Sequence, residues 1–539
     1  MGPAGRPRGH PPAARARGPR RSGSELRVDR RRLALALFAT CYALVALAWV
    51  FGNPPGAAPD EGDHYLRAMA VASGDLHGRP NPALVGQPKS LPKDAGAPAL
   101  ADLWLKKGAR IVTVPAGLAP IEWGCDAFNS KEDASCLLGQ TPPKTAVDAT
   151  TTVGTVEPAL YLLPGLAALR GHRPESALRL GRLVNAAVML ALLATTAALL
   201  WPPGGSPVRL LGLLVAVTPM VVFTGSVLSP SGPEIGAGIC FFSAVLRIGG
   251  GDRRGMAWTA AAASGVVLAL SRSLGPVWIL LMVGIVVAYR GWRACWRAVR
   301  ERPAYAAIAA AVIFLGTVST ILWERSFQPG IAVDGSYFWH EVPVTLRSLP
   351  ETLRDLVGLF GWLDTLMPSL AYWVWAAMLV ALVALAATLG GGRGRILLAV
   401  VPVVVLLLIV LISAGLLRQN GFEIQGRHVL AFAAVLPLLA GEIVADGARA
   451  KRGKRLSRML PVLAVPALAV HATGWYANAR RYAVGTSGPV WFLGHSRWSP
   501  PGTWFLWGAV VGLGVLAGLA ASWLASPRPS EDAVYASSA

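Results

Sequence analysis

The sequence predicts an all-α, polytopic transmembrane protein of about twelve spans with a large first extracytoplasmic loop. Two observations carry this. Of 539 residues, 54% are hydrophobic and 15% charged, against roughly 45–50% and 25% in soluble domains. The apolar residues fall in runs of about 16–22, each long enough to cross a hydrocarbon core roughly 30 Å thick. The charge balance, 50 Lys and Arg against 29 Asp and Glu, would suit a nucleic-acid binder if the charges shared one soluble face. They lie between the apolar runs instead. A nucleic-acid partner, a soluble multidomain enzyme and a disulfide scaffold are excluded, and the partner is the lipid bilayer.

Residues 1–32 are rich in Pro, Gly and Ala, carry ten Arg and read as a disordered basic cytoplasmic arm. The run 33–51 is about 19 residues, longer than the 7–15 of a secretory apolar region. It reads as a retained first span of a cell-membrane protein whose N-terminus is cytoplasmic. Further spans are expected at 183–200, 208–227, 233–248, 256–271, 274–289, 304–323, 369–389, 396–415, 429–446, 459–473 and 503–525, with a cytoplasmic tail at 526–539. The stretch 156–169 carries Pro158 and Pro164 and is shorter than the usual minimum of about 17 residues.

Sidedness follows from counting. If 156–169 does not span, the basic clusters at 247–254, 290–302 and 449–458 all face the cytoplasm, as the positive-inside rule requires. If it spans, they face outward. The stretch therefore reads as a re-entrant or interfacial helix within the extracytoplasmic loop 52–182. Loops 324–368 and 474–502 join that face, as do Ser229–Glu234 and Arg418–His428. Arg480 and Arg481 are the exception to the charge bias.

Of five cysteines, Cys125 and Cys136 are the pair in an exported loop, and an oxidising compartment favours a bridge between them. Such a bridge stabilises by roughly 3 kcal/mol in the chain-entropy model. Metal binding is disfavoured, because no His lies nearby and the spacing is not Cys-x2-Cys.

Residues suited to chemistry begin just after the first span. Asn53-Pro54-Pro55 ends that helix, and Asp60, Glu61, Asp63, His64 and Arg67 follow in helical spacing. Acidic residues in a first turn complement the helix dipole, whereas three carboxylates and an imidazole at a membrane edge are costly unless used. Both readings stand. Gln425, Arg427 and His428 open the span at 429, as anchors or as an anion site. Trp362 and Asp364 precede the span at 369 and read as a belt residue with a helix cap or as a sugar-binding surface. Glu234 and Arg272 are charges at span edges.

Asp60-Glu61-x-x-His64-x-x-Arg67-Ala68, Ser229-Pro230-Ser231-Gly232-Pro233-Glu234, Gly361-Trp362-Leu363-Asp364-Thr365 and Gln425-Gly426-Arg427 together resemble the successive signatures of the domain-of-unknown-function 2142 family of bacterial membrane proteins, over roughly 33–446. That family is similar to the GT-C superfamily of glycosyltransferases, which use polyprenyl-phosphate sugars. The resemblance implies a GT-C-like fold and hexosyl or pentosyl transfer from a polyprenyl-phosphate sugar donor to an envelope glycan or lipid acceptor. It makes Asp60 the catalytic carboxylate, Glu61 its partner, and Asp60 a possible ligand of a divalent cation, Mg or Mn. Arg427, His428, Gln425 and Arg272 would bind the donor phosphate. Asp63, His64, Arg67, Trp362, Asp364 and Glu234 would bind substrate. Glu157-Pro158-Ala159-Leu160-Tyr161, with Arg179 to Leu183, resembles the superfamily's Pro-Pro-Leu-x-Tyr and Arg-Leu pair, with Glu157 where a Pro is common.

Two other classes remain. A lipid-linked-glycan transporter or flippase would also bury charges, but no internal repeat and no paired broken helices are evident in the sequence. A non-catalytic envelope-assembly protein would not need its acidic and basic motifs on one face. Gly512, Gly514 and Gly518 read as packing glycines of the last span.

Overall fold

The computed structural model describes residues 23–82, 97–327, 338–448 and 450–526. The first helix, α1 (Gly23–Gly52), starts ten residues before the expected span. Residues 23–32 of the expected disordered arm are therefore helical, and Arg31 Nε donates to the Trp201 carbonyl at 2.6 Å. Residues 1–22 and 527–539, most of the expected arm and tail, lie outside the described residues. After the Asn53–Pro59 break the chain forms α2 (Glu61–Ala72), β1 (Arg79–Pro80), α3 (Ala97–Gly108), β2 (Arg110–Val114) and β3 (Val147–Thr151). The three strands make one antiparallel sheet in the order β1-β2-β3, with Ile111 opposite Thr150.

Next come α4 (Ala159–Ala168) and α5 (Pro174–Leu200). At ten residues, α4 rises about 15 Å, half a hydrocarbon core. It crosses α2 so closely that a Cβ at Gly165 would stand 2.1 Å from the Ala68 carbonyl oxygen. Tyr65, Met69, Val112, Val114, Tyr161 and Leu178 form a small apolar cluster that joins α2, the sheet, α4 and α5. It is separate from the main core of the bundle.

The run expected to span at 208–227 is broken into α6 (Leu210–Ala216) and α7 (Pro219–Gly225), which meet at 72°. Thr218 caps α7, with Pro219 at its first position, the arrangement that starts a new helix. The break leaves no polar debt at its centre: the Val217 carbonyl pairs with His471 Nε2 at 3.0 Å, and Thr218 Oγ1 donates to the Leu356 carbonyl at 2.9 Å. The sequence had shown no broken helix here.

The chain continues through α8 (Ser231–Gly249), α9 (Gly255–Ala269), α10 (Gly275–Arg290), α11 (Trp292–Glu301), α12 (Pro303–Phe327) and α13 (Phe338–Asp355). A two-strand hairpin, β4 (Leu359–Phe360) with β5 (Thr365–Leu366), leads to α14 (Ser369–Leu389) and α15 (Gly392–Asn420). Then follow α16 (Gly426–Ala433), α17 (Val435–Gly447), α18 (Ala450–Ser457), α19 (Met459–Val484) and α20 (Thr503–Ala525). All twelve expected runs are helical in the described residues. By length and composition, however, eight helices among the described residues can cross a membrane, or ten if the bent pairs α6–α7 and α10–α11 each count as one span.

The helix α19 outruns the expected 459–473 by eleven residues, so part of the expected loop 474–502 is helical. Trp475 is buried there, and its indole donates to the Ala48 carbonyl at 3.1 Å. Helix α20 packs along α1, where a Cβ at Gly518 would lie 2.8 Å from Cys41 Sγ. At the far end of α8 and α10, Arg247 and Arg290 share the fully buried Glu442 of α17 with Arg209.

Candidate functional site

Asp60 stands at the entrance to α2 with φ 61° and ψ 10°, a left-handed conformation. Asp is among the few residues that visit this region, and a non-glycine residue there stores roughly 1–3 kcal/mol. Its carboxylate is 45% exposed, and its Oδ2 lies 3.8 Å from Arg427 Nη2, on a side chain only 5% exposed. Exposure of the acid beside burial of the base is the defining asymmetry of the site.

The neighbours of this pair come from four other elements. Arg272, in the α9–α10 connection, reaches Glu234 of α8, with Nε 3.3 Å from Oε2, and donates to Ser231 Oγ at 2.9 Å. His64 of α2 pairs through Nδ1 with the Tyr161 hydroxyl of α4 at 2.7 Å. Burial, then the Arg272 and Arg427 guanidiniums, hold the His64 imidazole well below its usual range, so it is neutral at pH 7. His428 lies within electrostatic reach of His64, Arg272 and Arg427. Asp355, at the end of α13, faces the Gly426 and Arg427 amides at the start of α16, and burial pushes its carboxyl up to about 6 against those amides and Arg427. Arg427 Nε, Arg272 Nε, Gln425 Oε1, Asp355 Oδ1 and both Glu234 carboxylate oxygens are buried with no hydrogen-bond partner among the described residues. Buried polar atoms without partners are rare in folded proteins, and six gather in this cluster.

The other sequence-predicted residues have structural partners. Both oxygens of Glu61 are taken by Arg182, Nε to Oε1 at 2.7 Å and Nη2 to Oε2 at 2.5 Å, with a third bond from the Leu228 amide at 3.0 Å. Glu61 cannot serve beside Asp60 as a free base. It anchors α2 to α5, while Arg182 also donates to the carbonyls of Val50, Asn53 and Pro54. Asp63 Oδ1 accepts from the Thr152 amide at 2.7 Å, tying α2 to the end of β3. Burial raises its carboxyl above the usual range. Arg67 is fully buried and donates to the Leu76 and Val156 carbonyls, its guanidinium over the Trp323 ring. Beside it, burial pushes Glu157 up to about 7.

Trp362 donates to the Gly56 carbonyl at 2.8 Å and packs against Phe128. Asp364 pairs with Arg481 at 2.9 Å. Neither belongs to the Asp60 cluster; both clasp the first loop. Cys125 and Cys136 are joined, with Cα atoms 6.4 Å apart. The bridged loop is fixed by Arg481, which donates to Asp126 Oδ2 at 2.6 Å and to the Asp126 carbonyl at 2.7 Å. Arg481, Arg182, Tyr161 and Asp355 were not assigned to the site from the sequence. A charge inside an otherwise apolar helix was the available signal for Arg481 and Arg182.

A divalent cation does not fit this donor set. The single accessible carboxylate of the cluster faces the Arg427 guanidinium, and the adjacent Glu61 and Asp63 are already committed. Among the described residues, the one grouping with metal-ligand spacing is Cys125, Asp126 and Cys136, in which both thiols are oxidised and the carboxylate is held by Arg481.

These observations define a polytopic helical membrane protein with a strained acid and a buried cationic cluster at the end of its bundle. The chain belongs to the domain-of-unknown-function 2142 family, described as predicted membrane proteins, whose model matches residues 43–436. That range contains Asp60, His64, Glu234, Arg272, Asp355, Arg427 and His428. No curated protein and no solved structure matches the chain.

Proposed function

We propose that this protein is a membrane glycosyltransferase that moves a sugar from a polyprenyl-phosphate donor to a cell-envelope glycan or lipid acceptor on the extracytoplasmic face. The observation that supports it is the pairing of an exposed, strained Asp60 with buried Arg427. An acceptor hydroxyl, with a pKa far above 7, needs a positioned base, and Asp60 is the carboxylate open to one. As the hydroxyl oxygen bonds the anomeric carbon, its proton passes to Asp60 and the bond from that carbon to the phosphate oxygen breaks. Charge grows on the departing phosphate, where Arg427 and Arg272 supply forked donors in a water-poor setting. Neutral His64 and His428 line the site without opposing the acid, and Glu234 holds Arg272 in place. Glu61 acts as a positioning residue through its bond to Arg182.

The test compares wild type with Asp60→Asn in a cell without the native copy, with polyprenyl-linked sugars and envelope glycans profiled by mass spectrometry. Loss of one decoration with accumulation of one polyprenyl-phosphate sugar supports the transferase. An unchanged profile removes Asp60 as the base. The break between α6 and α7 favours a second reading, a lipid-linked-glycan transporter or flippase, since interrupted spans line pathways in transporters. That reading expects deletion of the protein to trap the lipid-linked sugar on one leaflet, while Asp60→Asn leaves its distribution as in wild type.

A further inference from the structure

A polar cavity of about 590 Å³ opens at the end of α19, between the bridged loop and the loop that follows that helix. Its size falls in the range of roughly 300–1,000 Å³ usual for small-molecule sites. Lys131, Glu132, Asp133 and Ser135 line one side, and Ser487, His495 and Arg497 the other. The cavity lies at the same end of the bundle as Asp60, because the last turn of α19 serves both. Tyr482 donates to the carbonyl of Ala57, in the turn that leads to Asp60, at 2.6 Å, and Val484 is part of the cavity wall.

Both lips are fixed. On one, the Cys125–Cys136 bridge closes the loop, and Asp133 caps a short turn by accepting from the Ser135 amide at 2.9 Å. On the other, Arg480 Nη2 donates to the Thr486 carbonyl at 2.9 Å and Nε to the Pro489 carbonyl at 3.1 Å, with a further bond to the Gly488 carbonyl. The lips are joined where the Thr486 amide donates to the Ser130 carbonyl at 2.8 Å. Gly485, with φ 74°, passes so close that a Cβ there would stand 2.0 Å from the Lys131 carbonyl oxygen. Walls set in advance cost a ligand little ordering.

The lining decides the ligand. Asp133 is only 6% exposed and is already engaged, with Oδ2 3.6 Å from Arg497 Nη1. The side chains of Lys131, Glu132, Ser135, Ser487 and His495 carry no hydrogen bond or ion pair among the described residues. Two carboxylates balance the Lys and the Arg, so an anion gains no net attraction. Val484 and Pro489 are too little apolar wall to hold a lipid chain or the hydrophobic side chain of a peptide. Donors and acceptors interleaved on rigid walls match vicinal hydroxyls, each of which both donates and accepts. We infer that this cavity binds a neutral, hydroxyl-rich oligosaccharide and is the docking subsite of the glycan acceptor. Its role toward an acceptor rests on the proposed transfer reaction, whereas the binding itself does not require catalysis.

The full chain, purified in detergent and immobilised, is given oligosaccharides released from the envelope of the cell that makes it, tritiated at their reducing ends and separated into neutral and anionic fractions. The neutral fraction is expected to be retained. The double variant Lys131→Met, Glu132→Gln should retain about tenfold less, through the loss of hydrogen bonds to two charged groups. Ser487→Met, on the opposite lip, obstructs the cavity and should give the same loss. All three side chains are exposed, so these variants fold, which an unchanged thermal midpoint checks. Retention of neither fraction, retention of the anionic fraction alone, or neutral retention untouched by the variants would each overturn the inference. Asp60→Asn should retain the neutral fraction like wild type while losing transfer. An Asp60→Asn protein that keeps both would end the catalytic role of Asp60 and leave the glycan site standing.

Discussion

Arg182 and Glu61 form a two-point ion pair in which neither side chain is more than 1% exposed, and the same guanidinium binds the carbonyls of Val50, Asn53 and Pro54. One residue of α5 thereby fixes the end of α1, the Pro-rich turn and the start of α2. The residue so placed is Asp60, immediately before Glu61.

Breaking this pair leaves a buried charge without its partner. Glu61→Gln is expected to destabilise the protein by about 3–5 kcal/mol, read as a lower midpoint of thermal unfolding in detergent. Activity of the remaining folded fraction should fall as well, because Asp60 loses its fixed anchor.

Asp60 separates stability from chemistry. Replacement by Gly relieves the left-handed strain and should be about 1 kcal/mol more stable than Asp60→Asn, which likewise takes the charge from Arg427, while transfer drops by roughly 10²–10⁴-fold. Thermal unfolding and product formation, measured on the same preparation, check both halves. A Gly variant no more stable than the Asn variant would show that the conformation is not strained.

Arg427→Lys keeps the charge and loses the planar fork. The expected result is weaker use of the lipid-phosphate donor with unchanged insertion, seen as a raised KM for donor and a smaller effect on acceptor. Arg427→Gln should lower kcat too, since no cation then meets the leaving phosphate in that position.

The pH dependence of stability has a stated sign. Burial raises Glu157 from 4.5 to about 7 and Asp355 from 3.8 to about 6. Each contributes stability that is complete below its unfolded value and lost as pH rises through its folded one. Stability should therefore decline between about pH 3.8 and 7, and Glu157→Gln should flatten the upper part of that slope in unfolding midpoints taken across the range.

Reduction of the Cys125–Cys136 bridge, or its double replacement by Ser, should cost about 3 kcal/mol and loosen the loop held by Arg481. Limited proteolysis near residues 126–135 checks this, with faster cutting expected in the reduced protein.

The apolar runs made the helices legible, because a segment that cannot leave hydrocarbon must satisfy its own backbone. The break at Val217–Thr218 was also written, as Thr-Pro inside an apolar run, but hydropathy alone smooths over it. Asp60, Arg427, Arg272 and Glu234 were legible as charges placed where charge is costly. Their grouping with Asp355 was not, since Asp355 closes an amphipathic helix and resembles a solvent-facing residue. Arg481 defied the charge bias for a physical reason: it is fully buried and neutralised by Asp126 and Asp364, whose partnership spans 355 and 117 residues of sequence. Glu61 looked like half of a catalytic pair because sequence adjacency carries no information about which neighbour a partner has already claimed.

The seam between α1 and α20 has a consequence for biogenesis. Cys41 of α1 meets Gly514 and Gly518 of α20 from far along the sequence, so α1 waits for α20 to be made before it has this neighbour. Until the ribosome has delivered residues 503–525, α1 presents an open flank to lipid, to the insertion machinery and to intramembrane proteases. A chain that ends before α20 leaves this flank of α1 uncovered by protein.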